Sequence, residues 1–441
     1  MRLLNTSTLK FEQVYRLYGL LYAILSHRWG DEEVSFEEFE LAQEPDDTIP
    51  PWQVKSAQRT RRKSGYQKII RFCLTAKMNG YAWCWVDTCC IDKRSSAELS
   101  EAINSMWNYY KGSSDCHVYL SDVPPMDPRH MDDNFWAVIR RSSWFMRCWT
   151  LQELVAPRGV SFYSRDWQQI GNINRNVASD ARSTEDIERP FTAGIASITR
   201  IPVDVLAWGG SIIKTYSIAQ RMSWAARRQA TRVEDVAYSL LGLFDINMPL
   251  LYGEGSKAFT RLQHEIMRQS PDMSIFAWTP PNKHPWLTLG EGYRSLLAPN
   301  PSVFEESESI YMDESPSVTL PGTITSRGLD ITIDCEFVAR LFNPDGTLRD
   351  IYIVALDCQE RADGPLRKCE VALLSQGSTA ASPWPDSPLQ VERRVLHRGD
   401  LEKLYPRNSR FQIKRKRFFL PVKYEDYSSF EDMLSWTISC S

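Results

Sequence analysis

Polar side chains follow the first long apolar run of the sequence, at the point where a buried strand would end. Residues 22–25 are apolar, and the side chains that come next are Ser26, His27, Arg28, Trp29 and Asp31. A guanidinium group binds phosphates and carboxylates through two parallel hydrogen bonds. We therefore expect His27 and Arg28 to position an anionic ligand, with pairing of Arg28 to the acidic residues 31–33 as the alternative.

A second apolar run, residues 82–86, also ends in groups that can do chemistry. Asp87 follows it directly, and Cys89, Cys90 and Asp92 come next. Cys89 or Cys90 would be a nucleophile with His27 or His117 as its base, although buried structural cysteines are more common. The two aspartates fit a metal site or, more commonly, the capping of a turn.

Glu153 is the carboxylate with the most informative neighbours. A predicted helix over residues 143–155 puts its apolar stripe on one side and Glu153 roughly opposite, beside Met146 and Trp149. A glutamate on such a face is usually solvated. Beside a tryptophan and a methionine it can instead line a pocket, where it would hydrogen-bond a ribose hydroxyl or stabilise a developing cation.

Alternating strand and helix signals would position these residues. Strands are predicted from residue 22 and at 82–86, 116–120 and 160–163, with helices at 66–79, 95–112 and 143–155. Residues 37–60 lack periodicity and are interpreted as an exposed insertion or long loop. This alternation predicts a parallel sheet with helices on both faces. The loops at the carboxyl ends of its strands would form a ligand crevice.

The sequence changes character twice after this region. Residues 170–215 are weakly patterned, whereas residues 217–268 read as helical, with a capping box predicted at Thr231 and Glu234. Beyond about residue 290, β-favouring runs alternate with Pro, Gly and Ser turns. We therefore expect an α/β domain over 1–170, a helical continuation over 171–285 and a β-rich domain over 286–441.

Bulk composition excludes several classes of protein. The chain has 441 residues, which is too long for a single hydrophobic core. Of these residues 43% are hydrophobic and 24% are charged, which are ordinary values for a globular protein. A net charge of -3 gives no general attraction to nucleic acid or membranes. Ten cysteines without a CxxC pair predict neither a disulfide framework nor a zinc site. We expect a cytoplasmic protein with no signal peptide, membrane span, metal or bound cofactor.

Three blocks of the sequence resemble the fungal heterokaryon incompatibility (HET) domain. They are residues 22–30 (YAILSHRWG), 85–93 (WVDTCCIDK) and 147–157 (RCWTLQELVAP). Residues 221–255 are similar to the segment that follows this domain in many fungal proteins, and the β-rich remainder resembles its uncharacterised extension. The resemblance implies an effector that triggers programmed cell death when genetically different cells fuse. It would act by self-association or with a sensor protein on another chain.

The HET domain is in turn thought to be a distant relative of Toll/interleukin-1 receptor (TIR) domains. The loop at Ser26–Asp31 and the Trp-Thr-Leu-Gln-Glu-Leu helix start at 149–154 are similar to two TIR motifs, with Thr150 where those enzymes carry cysteine. This likeness implies a TIR-like, flavodoxin-like sheet and makes Glu153 the catalytic candidate for cleaving the nicotinamide–ribose bond of NAD, a substrate here and not a cofactor. The substrate-binding candidates are Ser26, His27, Arg28, Trp29, Asp31, Asp87, Cys90 and Trp149. The alternative is a non-catalytic TIR-like module that signals by self-association or partner assembly.

Overall fold

The computed structural model describes residues 1–15, 19–175, 190–279 and 297–312 and, from residue 323 onwards, the strands named below. The chain divides into a first unit, residues 1–214 with 228–253, and a second unit, residues 215–227 with 254–441. The predicted mixed α/β architecture is confirmed. The predicted domain boundary at residue 286 lies outside the described residues.

A seven-stranded sheet forms the centre of the first unit. Its strands are β1 (Arg2–Asn5), β2 (Phe11–Gln13), β3 (Tyr22–His27), β4 (Trp83–Trp85), β5 (Asp115–Tyr119), β6 (Gly159–Tyr163) and β7 (Gln169–Asn174), in the order β2-β1-β4-β3-β5-β6-β7. The central strands β4, β3, β5 and β6 are parallel, and the outer pairings are antiparallel. Numbered along the chain, the parallel strands follow the flavodoxin-like order 2-1-3-4, which places the topological switch point between β3 and β5.

The α-helices of both units are numbered together along the chain. They are α1 (Phe36–Gln43), α2 (Pro51–Arg62), α3 (Ser64–Met78), α4 (Ser96–Gly112), α5 (Asp133–Arg140), α6 (Thr150–Val155), α7 (Pro190–Thr199), α8 (Val203–Trp208), α9 (Ile218–Ser223), α10 (Asp235–Tyr238), α11 (Leu241–Phe244) and α12 (Lys257–Gln269). The capping box predicted at Thr231 and Glu234 is wrong, because α10 begins after Glu234 without any side-chain cap. Among the described residues, no helix combines the length and apolar character needed to cross a bilayer.

Residues 37–60, predicted to be an exposed insertion or long loop, are mostly helical, so the prediction of a loop is wrong. The structure has α1 and α2 there, and α1 starts at a reciprocal capping box in which Ser35 and Glu38 each bond the other's backbone N–H. Proline occupies the first position of α2, where its missing N–H is harmless. Phe39 and Ala57 are fully buried, so a few apolar side chains are enough to fix these mostly polar helices on the core.

The prediction of one continuous helix over residues 143–155 is also wrong. A 3-10 helix, Ser143–Met146, ends before Arg147, and α6 begins only at Thr150. Between them the Cys148 N–H donates to the Gln229 carbonyl at 2.9 Å, and the Gln229 N–H donates to the Met146 carbonyl at 2.6 Å. This exchange with a distant segment interrupts the helix, so the helical wheel that placed Glu153 on an outer face does not apply.

Arg175 fixes the end of α6. Its guanidinium donates to the carbonyls of Pro157 at 2.6 Å, Leu154 at 3.1 Å and Val155 at 3.3 Å, and its Nε donates to the Leu206 carbonyl at 2.5 Å. The last carbonyls of a helix lack partners within the helix, and a cation at this end is favourable. Burial lowers the pKa of Arg175 to about 10, so the side chain stays charged at neutral pH.

The second unit is built around an eight-stranded sheet, which confirms the β-rich C-terminal prediction. Its strands are β8 (Ile310–Met312), β9 (Thr323–Thr325), β10 (Gly328–Phe342), β11 (Leu348–Glu360), β12 (Arg367–Ser375), β13 (Leu389–Arg394), β14 (Ile413–Leu420) and β15 (Thr437–Ile438). Strands β10, β14, β13, β12 and β11 pair in a closed circuit, in which only β13 and β14 are parallel. Helix α9 joins this unit, since Asp272 accepts from the Ile218 N–H at 2.6 Å.

We predict that Arg175→Met lowers the free energy of unfolding of the first unit by about 3 kcal/mol, because several buried carbonyls lose a charged donor. Chemical denaturation followed by tryptophan fluorescence measures this. Arg71→Met, which removes an exposed arginine of α3, is the matched control and should change stability by less than about 0.5 kcal/mol. Equal effects of the two substitutions would contradict the anchoring role of Arg175.

Candidate active site

Three buried polar side chains meet near the carboxyl end of β3. The Trp144 indole donates from Nε1 to Ser26 Oγ at 2.8 Å, and Ser26 Oγ is in turn hydrogen-bonded to Glu153 Oε2. Ser26 is 0% exposed, Trp144 1% and Glu153 9%. Because an indole N–H can only donate, Ser26 must accept from it, which leaves the hydroxyl hydrogen free to face an ionised Glu153.

The topology explains why these residues come together. Ser26 belongs to β3, while the 3-10 helix carrying Trp144 and the helix α6 carrying Glu153 both lie in the connection from β5 to β6. β3 and β5 are the strands on either side of the switch point, where open α/β sheets bind ligands. The exposed position that the helical wheel favoured for Glu153 is therefore corrected: its side chain is turned into the sheet edge.

The surroundings of Glu153 change its acidity. Burial raises the pKa of its carboxyl to about 8, the Ser26 hydrogen bond opposes this, and the negative charge of Asp87 adds to it. The positive charges of Arg147 and Arg228 lower the pKa by smaller amounts. With a pKa near 8, the carboxyl is mostly protonated at neutral pH in the free chain.

Arg228 is a buried cation that the sequence reading missed. Its Nη1 donates to Thr150 Oγ1 at 2.7 Å and to the Arg147 carbonyl at 3.1 Å. Burial lowers its pKa to about 10, and the charge of Glu153 is among the influences that raise it. Arg228 therefore connects the segment after residue 227 to the first turn of α6 and adds a positive charge behind the carboxyl group.

An exposed aromatic side chain lies beside this buried cluster. Trp29 is 41% exposed, and its Nε1 donates to Asp87 Oδ2 at 2.7 Å. The Lys93 ammonium lies 3.7 Å from the centroid of the Trp29 ring, and the Arg147 guanidinium carbon lies 5.6 Å from it. Sequence reasoning selected Trp29 and Asp87 but missed Lys93 and Arg147, although both occur in the sequence blocks already singled out.

His27 faces carboxylates and not open solvent. It is 5% exposed, and its Nε2 lies 3.7 Å from Glu33 Oε2 and 3.9 Å from Asp87 Oδ1, too far for hydrogen bonds. None of these three atoms has a hydrogen-bond partner within the part of the chain described. Burial and the charge of Lys68 lower the pKa of His27. A neutral imidazole flanked by two acids is poorly suited to hold an anion.

The remaining predicted site residues are dispersed. Arg28 and Asp31 are exposed, and among the described residues no ion pair joins Arg28 to the acidic residues 31–33. Trp149 is half-buried. Burial raises the pKa of the nearby Asp235 carboxyl, and the hydrogen bond that this carboxyl accepts from Tyr252 opposes the rise. Cys90 lines a separate cavity of about 200 Å³ that also borders Trp85.

The other chemistries considered for the site gain little support. Burial raises the pKa of the Cys89 thiol well above its ordinary value, which disfavours a thiolate nucleophile. His117 is paired with Asp115 at 3.1 Å. Within the described ranges, no group of three or more His, Cys, Asp or Glu side chains is arranged to hold a metal ion. The cluster around Glu153 is therefore the best-formed candidate site.

We predict that the raised pKa of Glu153 makes the folded chain less stable as pH rises. Between its ordinary value of 4.5 and about 8, the folded chain keeps a proton that the unfolded chain has released, so raising the pH favours unfolding. Relative to Glu153→Gln, the unfolding free energy of the unchanged chain should fall by about 1.4 kcal/mol per pH unit across the middle of this window. Urea denaturation at a series of pH values measures it.

The matched control for this titration is Glu40→Gln, which alters an exposed carboxyl. Its pH dependence should run parallel to that of the unchanged chain. If Glu153→Gln also runs parallel, the carboxyl of Glu153 is ionised in the folded chain and the description of its environment is wrong.

Comparison with known proteins connects this site to a family. Residues 22–127 match the model of the heterokaryon incompatibility protein (HET) family, and residues 257–320 match a domain of unknown function, DUF8212. The chain is similar to the vegetative incompatibility protein HET-E-1 of Podospora anserina, with 43% identity over 251 residues. That alignment covers 56% of this chain but only 16% of the relative's length. No solved structure matches the chain.

The blocks at residues 22–30 and 85–93 lie inside the matched region, and the block that carries Glu153 follows it. The first two blocks supply Ser26, Trp29 and Asp87 to the cluster described above. Two independent comparisons thus agree with the resemblance found from the residues alone: the chain carries a heterokaryon incompatibility (HET) domain.

Proposed function

We propose that this chain is an effector of heterokaryon incompatibility whose HET domain hydrolyses NAD at the nicotinamide–ribose bond, with Glu153 as the catalytic residue. The observation that carries the proposal is the Glu153 carboxyl group, buried at the switch point of the sheet and hydrogen-bonded to Ser26. The similarity to a vegetative incompatibility protein supports the biological role. The TIR-like part of the proposal rests on the motif around Glu153 and on the strand order.

The reaction suits a site with a single carboxylate. The ring nitrogen of bound nicotinamide is positively charged, so it takes the bonding electron pair and leaves as a neutral base without needing a general acid. Positive charge then develops on the ribose, and a carboxylate close to it stabilises that charge. Water adds to the anomeric carbon and loses a proton to solvent, which gives ADP-ribose, nicotinamide and one proton.

The raised pKa of Glu153 fits this scheme if the substrate itself promotes ionisation. A cationic nicotinamide ring near the carboxyl favours its charged form, because opposite charges within a few ångströms lower the pKa of an acid. Arg147 and Arg228 act in the same direction. The proton would leave as NAD binds, and the carboxylate would be present when the bond breaks.

Access to the carboxyl requires some movement of the chain. Glu153 is only 9% exposed, so the ribose can reach it only after neighbouring side chains shift. Substrate binding would thus be coupled to a local rearrangement, a common property of sites that exclude water. The eight cysteines whose side chains the structure describes are free thiols, which supports a reducing, cytoplasmic compartment for this activity.

We predict that the purified chain releases nicotinamide from NAD and that Glu153→Gln lowers the rate at least about 100-fold, since the amide cannot stabilise the developing cation. Chromatographic separation of nicotinamide and ADP-ribose measures the reaction. Glu40→Gln is the matched control and should retain full activity. The same variants expressed in a fungal host should kill, or fail to kill, in proportion to their turnover.

Two results would reject the enzymatic proposal. One is a folded chain without NAD turnover, tested at high concentration to favour self-association. The other is cell killing by Glu153→Gln at the level of the unchanged chain. Killing without turnover would instead support the non-catalytic module, in which the domain signals by assembling with itself or with a sensor protein.

We predict a pH profile set by Glu153. Because kcat/KM reports the free enzyme, it should fall about tenfold per pH unit below pH 8 and level off above, following the ionised fraction of the carboxyl. Ser26→Ala should move this limb to higher pH, since the Ser26 hydrogen bond lowers the pKa of Glu153. Ser211→Ala, at an exposed serine, should leave it in place. If Ser26→Ala lowers kcat/KM at every pH without moving the profile along the pH axis, Ser26 does not lower the pKa of Glu153.

A further inference from the structure

We infer that Lys93, Arg147 and the exposed indole of Trp29 form a subsite for a diphosphate and its adjoining base, as found in a nucleoside diphosphate or a dinucleotide. The subsite deepens the proposed function, on which it rests for the identity of the natural substrate. It assigns binding to two cations that the sequence patterns did not indicate.

The arrangement of charge is the first argument. The Lys93 ammonium and the Arg147 guanidinium both approach the same indole, at 3.7 and 5.6 Å from its centroid. Like charges this close repel each other unless an anion lies between them. Burial lowers the pKa of Lys93, the charge of Asp87 opposes this, and the charge of Arg147 adds a smaller lowering effect.

The lack of carboxylate partners is the second argument. Two other surface cations of the first unit pair with carboxylates, Lys10 with Glu44 at 2.7 Å and Arg61 with Asp46 at 2.7 Å. In the described part of the chain, no carboxylate oxygen lies within 4.0 Å of the Lys93 ammonium or the Arg147 guanidinium. The nearby Asp87 places its Oδ2 on the Trp29 indole N–H instead. The two cations thus remain available to an outside anion.

Trp29 supplies the part of the subsite that would recognise a base. Its N–H bond to Asp87 fixes the ring, while 41% of the residue stays exposed. Lys93 lies over part of this ring, and the exposed remainder offers a surface on which a planar base stacks, an interaction of about 1–3 kcal/mol for single-stranded nucleotides. An ordered tryptophan this exposed, with cations beside it, therefore matches a ligand with an aromatic ring next to negative charge.

The subsite is also correctly placed for the proposed reaction. The charge of Arg147 acts on both Lys93 and Glu153, and Asp87, which holds Trp29, acts on the same two groups. The diphosphate would therefore bind beside the buried carboxyl. In a dinucleotide this leaves one nucleoside for Trp29 and directs the other ribose towards Glu153.

Calorimetric titration of the full chain with ADP tests the subsite without any turnover, because ADP contains no nicotinamide–ribose bond. We expect ADP to bind, and adenosine and inorganic diphosphate each to bind at least about tenfold more weakly, since each lacks one half of the recognised group. Lys93→Gln and Arg147→Gln should each weaken ADP binding by about tenfold or more. Lys93→Arg should restore it, and the affinity should fall as salt is raised.

Lys77→Gln is the matched control, because it removes an exposed lysine of α3, and it should bind ADP like the unchanged chain. Absence of ADP binding, or equal affinity in the Lys93, Arg147 and Lys77 variants, would overturn the inference. Diphosphate binding as tight as ADP would show an anion site without base recognition and would overturn the role of Trp29.

The two proposals fail in different ways. ADP binding that depends on Lys93, in a chain that does not hydrolyse NAD, would keep the subsite and reject the catalytic proposal. NAD hydrolysis with a KM that is unchanged in Lys93→Gln and Arg147→Gln would keep the catalytic proposal and reject the subsite.

Discussion

The hydrogen bond between Ser26 and Glu153 is the interaction on which the rest of the site depends. It joins β3 to α6, which lies in the connection from β5 to β6. On its other side Ser26 accepts a hydrogen bond of 2.8 Å from the Trp144 indole. Removing a carboxyl from water is unfavourable unless it is hydrogen-bonded or neutralised. Here Ser26 supplies the hydrogen bond. The raised pKa of Glu153 means that protonation also removes the charge of the buried carboxyl at neutral pH.

Two layers of charge surround this bond. A buried layer contains Glu153 and the enclosed cation Arg228, and Arg175 fixes the end of the same helix. An outer layer presents Trp29 with Lys93 and Arg147 to solvent. Groups held at a perturbed pKa reduce stability, and proteins concentrate them at functional sites. A buried acid with a raised pKa, Glu153, thus lies near two surface cations without carboxylate partners among the described residues, Lys93 and Arg147. This combination suits a site for an anionic substrate.

Much of the fold could be predicted from local patterns. The strand at Tyr22–His27, the helix over residues 95–112 and the β-rich second unit could all be predicted, because apolar runs and helical periodicity act over a few positions. The break at Arg147–Trp149 was not, because its cause is the pairing with Gln229, some eighty residues away. Helices α1 and α2 were missed because polar residues dominate them, and only the capping box of α1 and the first proline of α2 mark where they begin.

The site shows the same division. Glu153 and Ser26 were found through their motifs, whereas periodicity alone would have left Glu153 in solvent. Sequence patterns did not indicate Lys93, Arg147 and Arg228. The role of a cation depends on its neighbours in three dimensions, and spacing along the chain does not show which residues these are. The flavodoxin-like strand order, which only the structure shows, places the residues found from motifs and the overlooked cations at the same edge of the sheet.

A crystal structure of the Glu153→Gln variant soaked with NAD would test the central claim most directly. The account predicts intact NAD with the anomeric carbon of its nicotinamide ribose within about 3.5 Å of the residue 153 side chain, and with the diphosphate against Lys93 and Arg147. NAD bound elsewhere on the chain, or a nicotinamide ribose held away from residue 153 while the diphosphate occupies its subsite, would contradict it.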